Sequence, residues 1–265
     1  MDWPAVGTTR TRWQELLGAM SATLPMLSGL HLGLLTFPLQ TGSAENLNCT
    51  VAPTPDIPIG LGTAAMINAR LLAADPWAGD TPTPDAFATA EAYFRATPTA
   101  RERYLILATD GLPEPNCGAT VPATVTAIAG LRTREMVDTF VLGIVGPDAS
   151  GDTSGIPALQ AGLNQMADAG GRSRGGMTHY YEAVDGAAMS AAIRAIVASA
   201  TNCRFGLSSP PPRPSRIVVR QDGITVPMSG YMLSGTDLEF TASYCARIQA
   251  GLVSSITVTD DCTVP

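Results

Sequence analysis

Lysine is absent: all sixteen cationic side chains of the 265-residue chain are arginines, set against 23 acidic residues for a net charge of -7. Nucleic-acid binding needs clustered positive charge to displace counterions from phosphate, and these arginines are scattered, which argues against that class of partner. With plentiful alanine, glycine and proline, the lack of lysine points to a GC-rich bacterial gene. Histidine is scarce, at His31 and His179 only, both in strand-like stretches where a core or edge role is the usual one. There is no GxSxG elbow, no P-loop and no HExxH, so the catalytic inventory is poor and the chain reads as non-enzymatic. The five cysteines, Cys49, Cys117, Cys203, Cys245 and Cys262, include no CxxC pair, which removes zinc-ribbon and thioredoxin-like spacings. The apolar run from Leu24 to Phe37 falls short of the roughly 20 residues a membrane span needs and is broken by Pro25 and His31. Residues Met1 to Arg12 are polar and lack the apolar core of a signal peptide.

With 45% hydrophobic and 15% charged residues, the chain can bury a large core and suits one sizeable domain plus an appendage. Disulfides in an oxidising compartment explain the cysteines best, and the odd count leaves one thiol unpaired or paired elsewhere. This implies an extracytoplasmic protein, secreted or anchored to the cell envelope, whose targeting segment is expected outside this sequence.

The stretch that orders the chain is RYLILATDGLP, Arg103 to Pro113. Its apolar run lacks polar alternation and is too short for a helix, so it reads as a central strand of a parallel sheet, covered on both faces. Ligand crevices in open α/β sheets lie outside the carboxyl ends of the strands. Asp110 would sit there, with Gly111 giving the turn; the simpler alternative is that Asp110 only caps that turn.

Thr9 to Leu24 has the spacing of an amphipathic helix, with Thr8 or Thr9 as its cap. His31 to Phe37 reads as a strand ended by Pro38, and Asn48 to Ala52 as a short edge strand. Prolines 53, 55 and 58 mark a loop or a poor strand. Gly60 to Ala65, GLGTAA, resembles a GxGxxA nucleotide fingerprint, yet that motif needs a sound buried strand before it and the prolines argue against one. Helices are expected over Ala64 to Ala73, Pro84 to Ala96, Thr120 to Leu131, Ile156 to Ala169 and Gly186 to Ser199. Strands are expected over Met136 to Val145 and His179 to Ala183. Strand, helix and strand alternate at the spacing of crossover units. Beyond Cys203 the stiff PPPRP segment leads into short β runs at Ile217 to Val219, Ile224 to Val226, Leu238 to Thr241 and Ser255 to Thr259. Three cysteines lie in this minor β part, which fits a small core in need of a staple; their pairing stays open.

The early helix and HLGLLTFP strand, GDTPT before a helix, LILATDGLP, a strand ending VLGIV, and GG followed by HYYEAVDGAAMSAAIRAI together resemble a von Willebrand factor A domain over roughly Met1 to Ala200, in the manner of bacterial secreted or lipoprotein-type versions with a cysteine-bearing β tail. The resemblance implies a doubly wound, mostly parallel sheet with helices on both faces, in three layers, over residues 1–201, and a small β-rich appendage over 202–265. It also implies a metal-ion-dependent adhesion site that holds Mg2+ or Mn2+ and binds a protein partner through an acidic side chain. Thr81 matches that site's threonine and Asp110 its aspartate, with Thr83 a neighbour. The Asp-x-Ser-x-Ser motif is missing: Asp2 is followed by Trp3, Pro4, Ala5 and Val6. Met1 then reads as an internal methionine, with the first strand and its ligands upstream; loss of the site is the alternative. Two oxygens alone hold such an ion weakly, so metal affinity in this chain is expected to be weak or absent. The other classes kept open are an enzyme using the strand-end crevice, nucleotide-linked or hydrolytic, and a metal-free structural surface module.

Overall fold

The structure is a computed structural model that describes residues 5–7, 9–27, 29–39, 49–74, 80–99, 101–148, 150–200, 203–249, 252–253 and 255–260. It is a mixed α/β protein that divides into two compact units, Met1–Pro25 with His31–Ile193, and Met26–Leu30 with Arg194–Pro265.

The first unit opens with α1 (Arg12–Thr23). Thr11 closes a capping box with Gln14, satisfying two otherwise orphaned amides and fixing where the helix begins. Strands β1 (His31–Leu34) and β2 (Ile57–Leu61) form an antiparallel pair, followed by α2 (Ala64–Leu72). Asp56 ties this corner together, accepting from the Thr36 amide (2.7 Å), the Thr36 hydroxyl (2.9 Å) and Arg70 Nε (2.8 Å). Next come α3 (Thr83–Ala96), β3 (Arg103–Thr109), α4 (Val121–Glu135), β4 (Val137–Ile144), α5 (Ile156–Gly170), β5 (Tyr181–Ala183) and α6 (Gly186–Ala200). Strands β3, β4 and β5 pair in parallel in that order. Helices start where caps and prolines dictate: Thr120 accepts from the Ala123 amide at 3.2 Å, and prolines stand in the first turn of α3, α4 and α5.

The main core joins Phe87 and Phe94 of α3, Ile128 and Leu131 of α4, and Leu159, Leu163 and Met166 of α5 to Leu107, Val137 and Val141 of the sheet. Gly143 lets α5 come this close, since a Cβ there would lie 2.5 Å from Leu163. A second cluster joins Leu24, Ile57, Ile67 and Leu71, with Leu17, Leu32 and Leu34 packed against it. On the surface between α3 and α4, Glu91 accepts from Arg134 at 2.7 and 2.6 Å and pairs with Arg95; these cations, Arg134 first, hold its carboxyl below the usual value.

The second unit holds two three-stranded antiparallel sheets. One orders β6 (Arg204–Gly206), β10 (Asp237–Phe240) and β9 (Tyr231–Ser234); the other orders β11 (Ile256–Asp260), β7 (Ile217–Gln221) and β8 (Ile224–Val226). Helix α7 (Ala242–Gln249) carries Cys245, bonded to Cys203. That settles the pairing for these two cysteines; Cys262 lies outside the described residues.

Several expectations are corrected. The helix cap is Thr11, not Thr8 or Thr9. Residues 49–52 form no strand, and Asn48 lies outside the described residues. Both readings of the proline-rich stretch have a place: Pro53 and Pro55 lie outside any strand, while Pro58 stands in the short, mostly exposed β2, which among the described residues pairs with β1 alone, an edge that tolerates proline. Met136 ends α4 in the left-handed region at φ 55° and does not start β4. The largest difference concerns β3. It pairs with β4 as expected, but among the described residues no strand lies on its other side and Ile106 is 44% exposed, so the central position covered on both faces is not found among them.

Candidate functional site

The carboxyl ends of β3 and β4, the start of α1 and the loop before α3 meet on one rim. At its centre is Arg12, the first residue of α1. Its side chain is 1% exposed, and Nη1 donates to Asp110 Oδ2 at 3.3 Å and to the Asp110 carbonyl at 3.4 Å, while Nη2 donates to the Pro147 carbonyl. The sequence produces this geometry locally. The Thr11 cap sets the helix phase, and the buried stripe then runs Arg12, Leu16, Ala19, Thr23. Gly146 leaves room for the guanidinium, since a Cβ there would lie 3.2 Å from Arg12 Nη2.

Asp110 lies immediately after β3 in a turn held by Thr109, whose hydroxyl donates to the Gly111 carbonyl at 3.0 Å. Thr81 is half-buried in the loop before α3, and its carbonyl accepts from the Thr83 amide (2.9 Å) and the Glu114 amide (3.2 Å). The backbone therefore stitches the Thr81 loop to the segment that follows Asp110, while the Asp110 carboxylate turns to Arg12. Thr83 is buried as the first residue of α3.

A disulfide holds the same rim. Cys49 is bonded to Cys117, in the short turn Pro115–Cys117, and Cys49 Sγ lies 3.8 Å from Asp80 Oδ2. Cys49, Asp80 and Cys117 have the types and spacing of metal ligands, but both sulfurs are consumed by the bond between them. After β4, the loop from Asp148 to Ser154 is ordered by its own carboxylates. Asp148 Oδ1 accepts from the Ser150 hydroxyl (2.7 Å) and the amides of Ser150 and Asp152 (2.8 Å each), and Asp152 accepts from the Ser154 amide (2.9 Å) and hydroxyl (2.6 Å). These donors, the serine hydroxyls first, hold both carboxyls below the usual carboxylate range.

A magnesium-like ion takes six oxygens in an octahedron. Of the two residues the resemblance assigns, Asp110 already faces a buried guanidinium, and a second cation beside it would meet like-charge repulsion in a place poorly screened by water. The residues present do not fit a tightly held divalent ion.

Arg12 escapes a reading of the sequence because an arginine on the apolar stripe of a helix looks like a surface residue at the helix end; the available signal was its place four residues before Leu16. The two histidines stay away from the rim. His31 opens β1, with Nε2 2.6 Å from Arg101 Nη1, and His179 pairs through Nδ1 with Asp168 at 2.8 Å. Nor does the Gly60 stretch make a nucleotide turn: Gly60 lies within β2, paired with Leu32, on a strand mostly open to solvent.

No protein-family model matches the chain, and no curated protein does. Among solved structures it resembles two of the pilus adhesin SpaC from Lactobacillus rhamnosus GG. The first matches with a TM-score of 0.53 at 15% identity over 88% of this chain, and the second, in the open conformation, with a TM-score of 0.53 at 14% identity over 86%. The chain spans about a third of that protein's length, 34% in both cases. At such identity the likeness concerns the fold.

Proposed function

We propose that the chain is a non-enzymatic, extracytoplasmic protein-binding module of von Willebrand factor A type, a doubly wound domain with a β-rich appendage, whose partner docks on the strand-end rim around Thr81 and Asp110. The observation that carries this reading is the convergence on that rim of two parallel strand ends, the Thr81 loop and a disulfide, the position where open α/β sheets present their ligand sites. The fold shared with an adhesin and the two disulfides support it. Capture of an acidic side chain through Mg2+ or Mn2+, which the resemblance implies, is not carried over to this chain, because Arg12 already neutralises Asp110.

The test is selection of peptide binders on the purified chain from a displayed library, in magnesium and in chelator. Binders that compete for the rim should lose about tenfold in affinity on Thr81→Arg, an ordinary loss for an interface residue. Binders that ignore this change defeat the proposal. A second reading, a metal-free structural surface module, is favoured by the same Arg12–Asp110 pair, which fastens α1 to β3. Under it, rim substitutions alter stability and no binder maps to the rim.

A further inference from the structure

We infer that the outer face of α2 is a self-association surface, on which a second copy of this chain docks its own α2, antiparallel, about a two-fold axis at Ala69. This does not rest on the rim reading.

The pattern of the helix comes first. A surface helix ordinarily turns its apolar stripe to the core and its polar residues to water. α2 spends its polar residues elsewhere. Its two polar side chains are tied to neighbouring elements: Asn68 Oδ1 accepts from the Ser21 hydroxyl of α1 at 2.8 Å, and Arg70 donates to Asp56 at 2.8 Å and to the Thr36 hydroxyl at 3.2 Å. Ile67 and Leu71 fill the apolar cluster beneath. What is left for solvent is apolar throughout: Ala65, Met66, Ala69, Leu72 and, at the cap, Ala73 are all exposed, Met66 by 55% and Leu72 by 59%. At about 100° per residue, all five lie within about 60° of Ala69, so they form one face. The solvent side of α5, by contrast, carries Gln165 and Asp168.

The order of large and small side chains on this face selects the occupant. A two-fold pairing needs a surface complementary to itself. Three residues either side of Ala69 stand large side chains, Met66 and Leu72; four residues either side stand small ones, Ala65 and Ala73. In an antiparallel pair centred on Ala69, Met66 of one copy therefore stands over Ala73 of the other, and Leu72 over Ala65, large against small on both sides of the axis. Ala69 meets Ala69, which lets the two helix axes come close. The seam carries no unpaired charge, because Arg70 is already bonded to Asp56. Association is opposed by the net charge of -7 on each copy, a repulsion that salt screens. One face of so short a helix covers less than the about 800 Å² per partner of a standard interface, so the dimer is a weak one.

The test is sedimentation equilibrium of the full chain. A monomer–dimer equilibrium should appear at roughly 10–1,000 μM and should tighten as sodium chloride is raised. Ala69→Glu sets two carboxylates against each other on the axis and should weaken the dimer by about tenfold or more. It should leave the melting temperature in dilute solution unchanged, since glutamate suits a helix nearly as well as alanine. Met66→Glu and Ala73→Arg should each weaken the dimer, and the two in one chain should restore it, because the pairing brings the new carboxylate of one copy to the new guanidinium of the other. If Ala69→Glu unfolds the chain, Leu72→Gln takes its place. The inference is overturned by a monomer at every concentration, by a dimer that the Ala69→Glu change leaves intact, or by a doubly substituted chain that stays monomeric. A dimer that persists in Ala69→Glu and opens on reduction would belong to a disulfide between copies and also overturn it.

Discussion

β3 and β4 are neighbours in one sheet with similar apolar composition, RYLILAT against VDTFVLGI, yet they occupy different surroundings. Seven of the eight residues of β4 are buried; of the seven in β3, only Leu107 and Thr109 are. Composition thus records that a strand is built for burial, while its place in the sheet decides whether burial is achieved. The loops that follow them differ in the same way. The one after β3 is stapled by Cys49–Cys117, and the one after β4 is held by hydrogen bonds to its own carboxylates.

The sharpest way to break this comparison is to truncate the register pair Ile106 and Phe140. Phe140→Ala removes a buried ring that packs against Tyr104 and Tyr181, and should cost about 3–5 kcal/mol in denaturant unfolding. Ile106→Ala should cost under about 1 kcal/mol, because nearly half of that side chain already meets water. Equal costs would mean that β3 is covered in solution. Removing the staple comes next: Cys49→Ser with Cys117→Ser opens a loop across a sequence separation of 68, worth about 4 kcal/mol in the chain-entropy model. An unchanged melting temperature would show that the bond contributes nothing to the rim.

Most of the first unit was legible in the sequence because its signals are local. Thr120 before Val121, prolines in first turns and the apolar run of β4 each act within a few residues, and the helices they imply are present to within a few residues. What was illegible depends on distant partners. Pro58 fits β2 because among the described residues that strand pairs on one side alone, and the exposure of Ile106 depends on what lies beside β3. In the candidate site, Thr81 and Asp110 were legible as positions, through the loops that carry them. Arg12 was not, because it lies 98 residues from Asp110 and only the folded chain makes it that residue's counter-ion. Helix α7 has no counterpart among the sequence expectations, which place only short β runs beyond Cys203.

The Arg12–Asp110 pair allows a finer test, since Arg12 reaches both strand ends, the carboxylate of Asp110 after β3 and the carbonyl of Pro147 after β4, and only the first contact is removed by substitution at Asp110. Asp110→Ala leaves a guanidinium that is 1% exposed without its carboxylate and should cost about 3 kcal/mol. Adding Arg12→Met should recover about 1 kcal/mol or more, as expected for coupled neighbours. Magnesium or manganese should leave the melting temperature of the unaltered chain where it is, because a ligand stabilises only by binding the folded state. A rise with either ion would show that the guanidinium yields the carboxylate to metal.

The smallest effect belongs to the loop after β4, and it separates local order from global stability. Asp148 and Asp152 both titrate below their ordinary value of 3.8 because hydroxyls and amides donate to the charged form. A depressed folded value means that the order these bonds supply is fully present above pH 3.8 and is lost as pH falls through the lower folded value. On acidification, the amides of Ser150, Asp152 and Ser154 should therefore shift while those of Val137–Ile144 stay protected. The stapled turn at Pro115–Cys117 should not follow, since a covalent bond does not titrate in this range. Asp148→Ala should release the Ser150 and Asp152 amides at neutral pH with no measurable change in the melting temperature, because Asp148 is only partly buried, its bonds stay within the loop, and little of the core depends on them. A lowered melting temperature in that variant, or loop amides that stay put down to the pH at which β4 opens, would mean that the loop is held by something other than its carboxylates, and the contrast between the stapled and the self-bonded loop would fail.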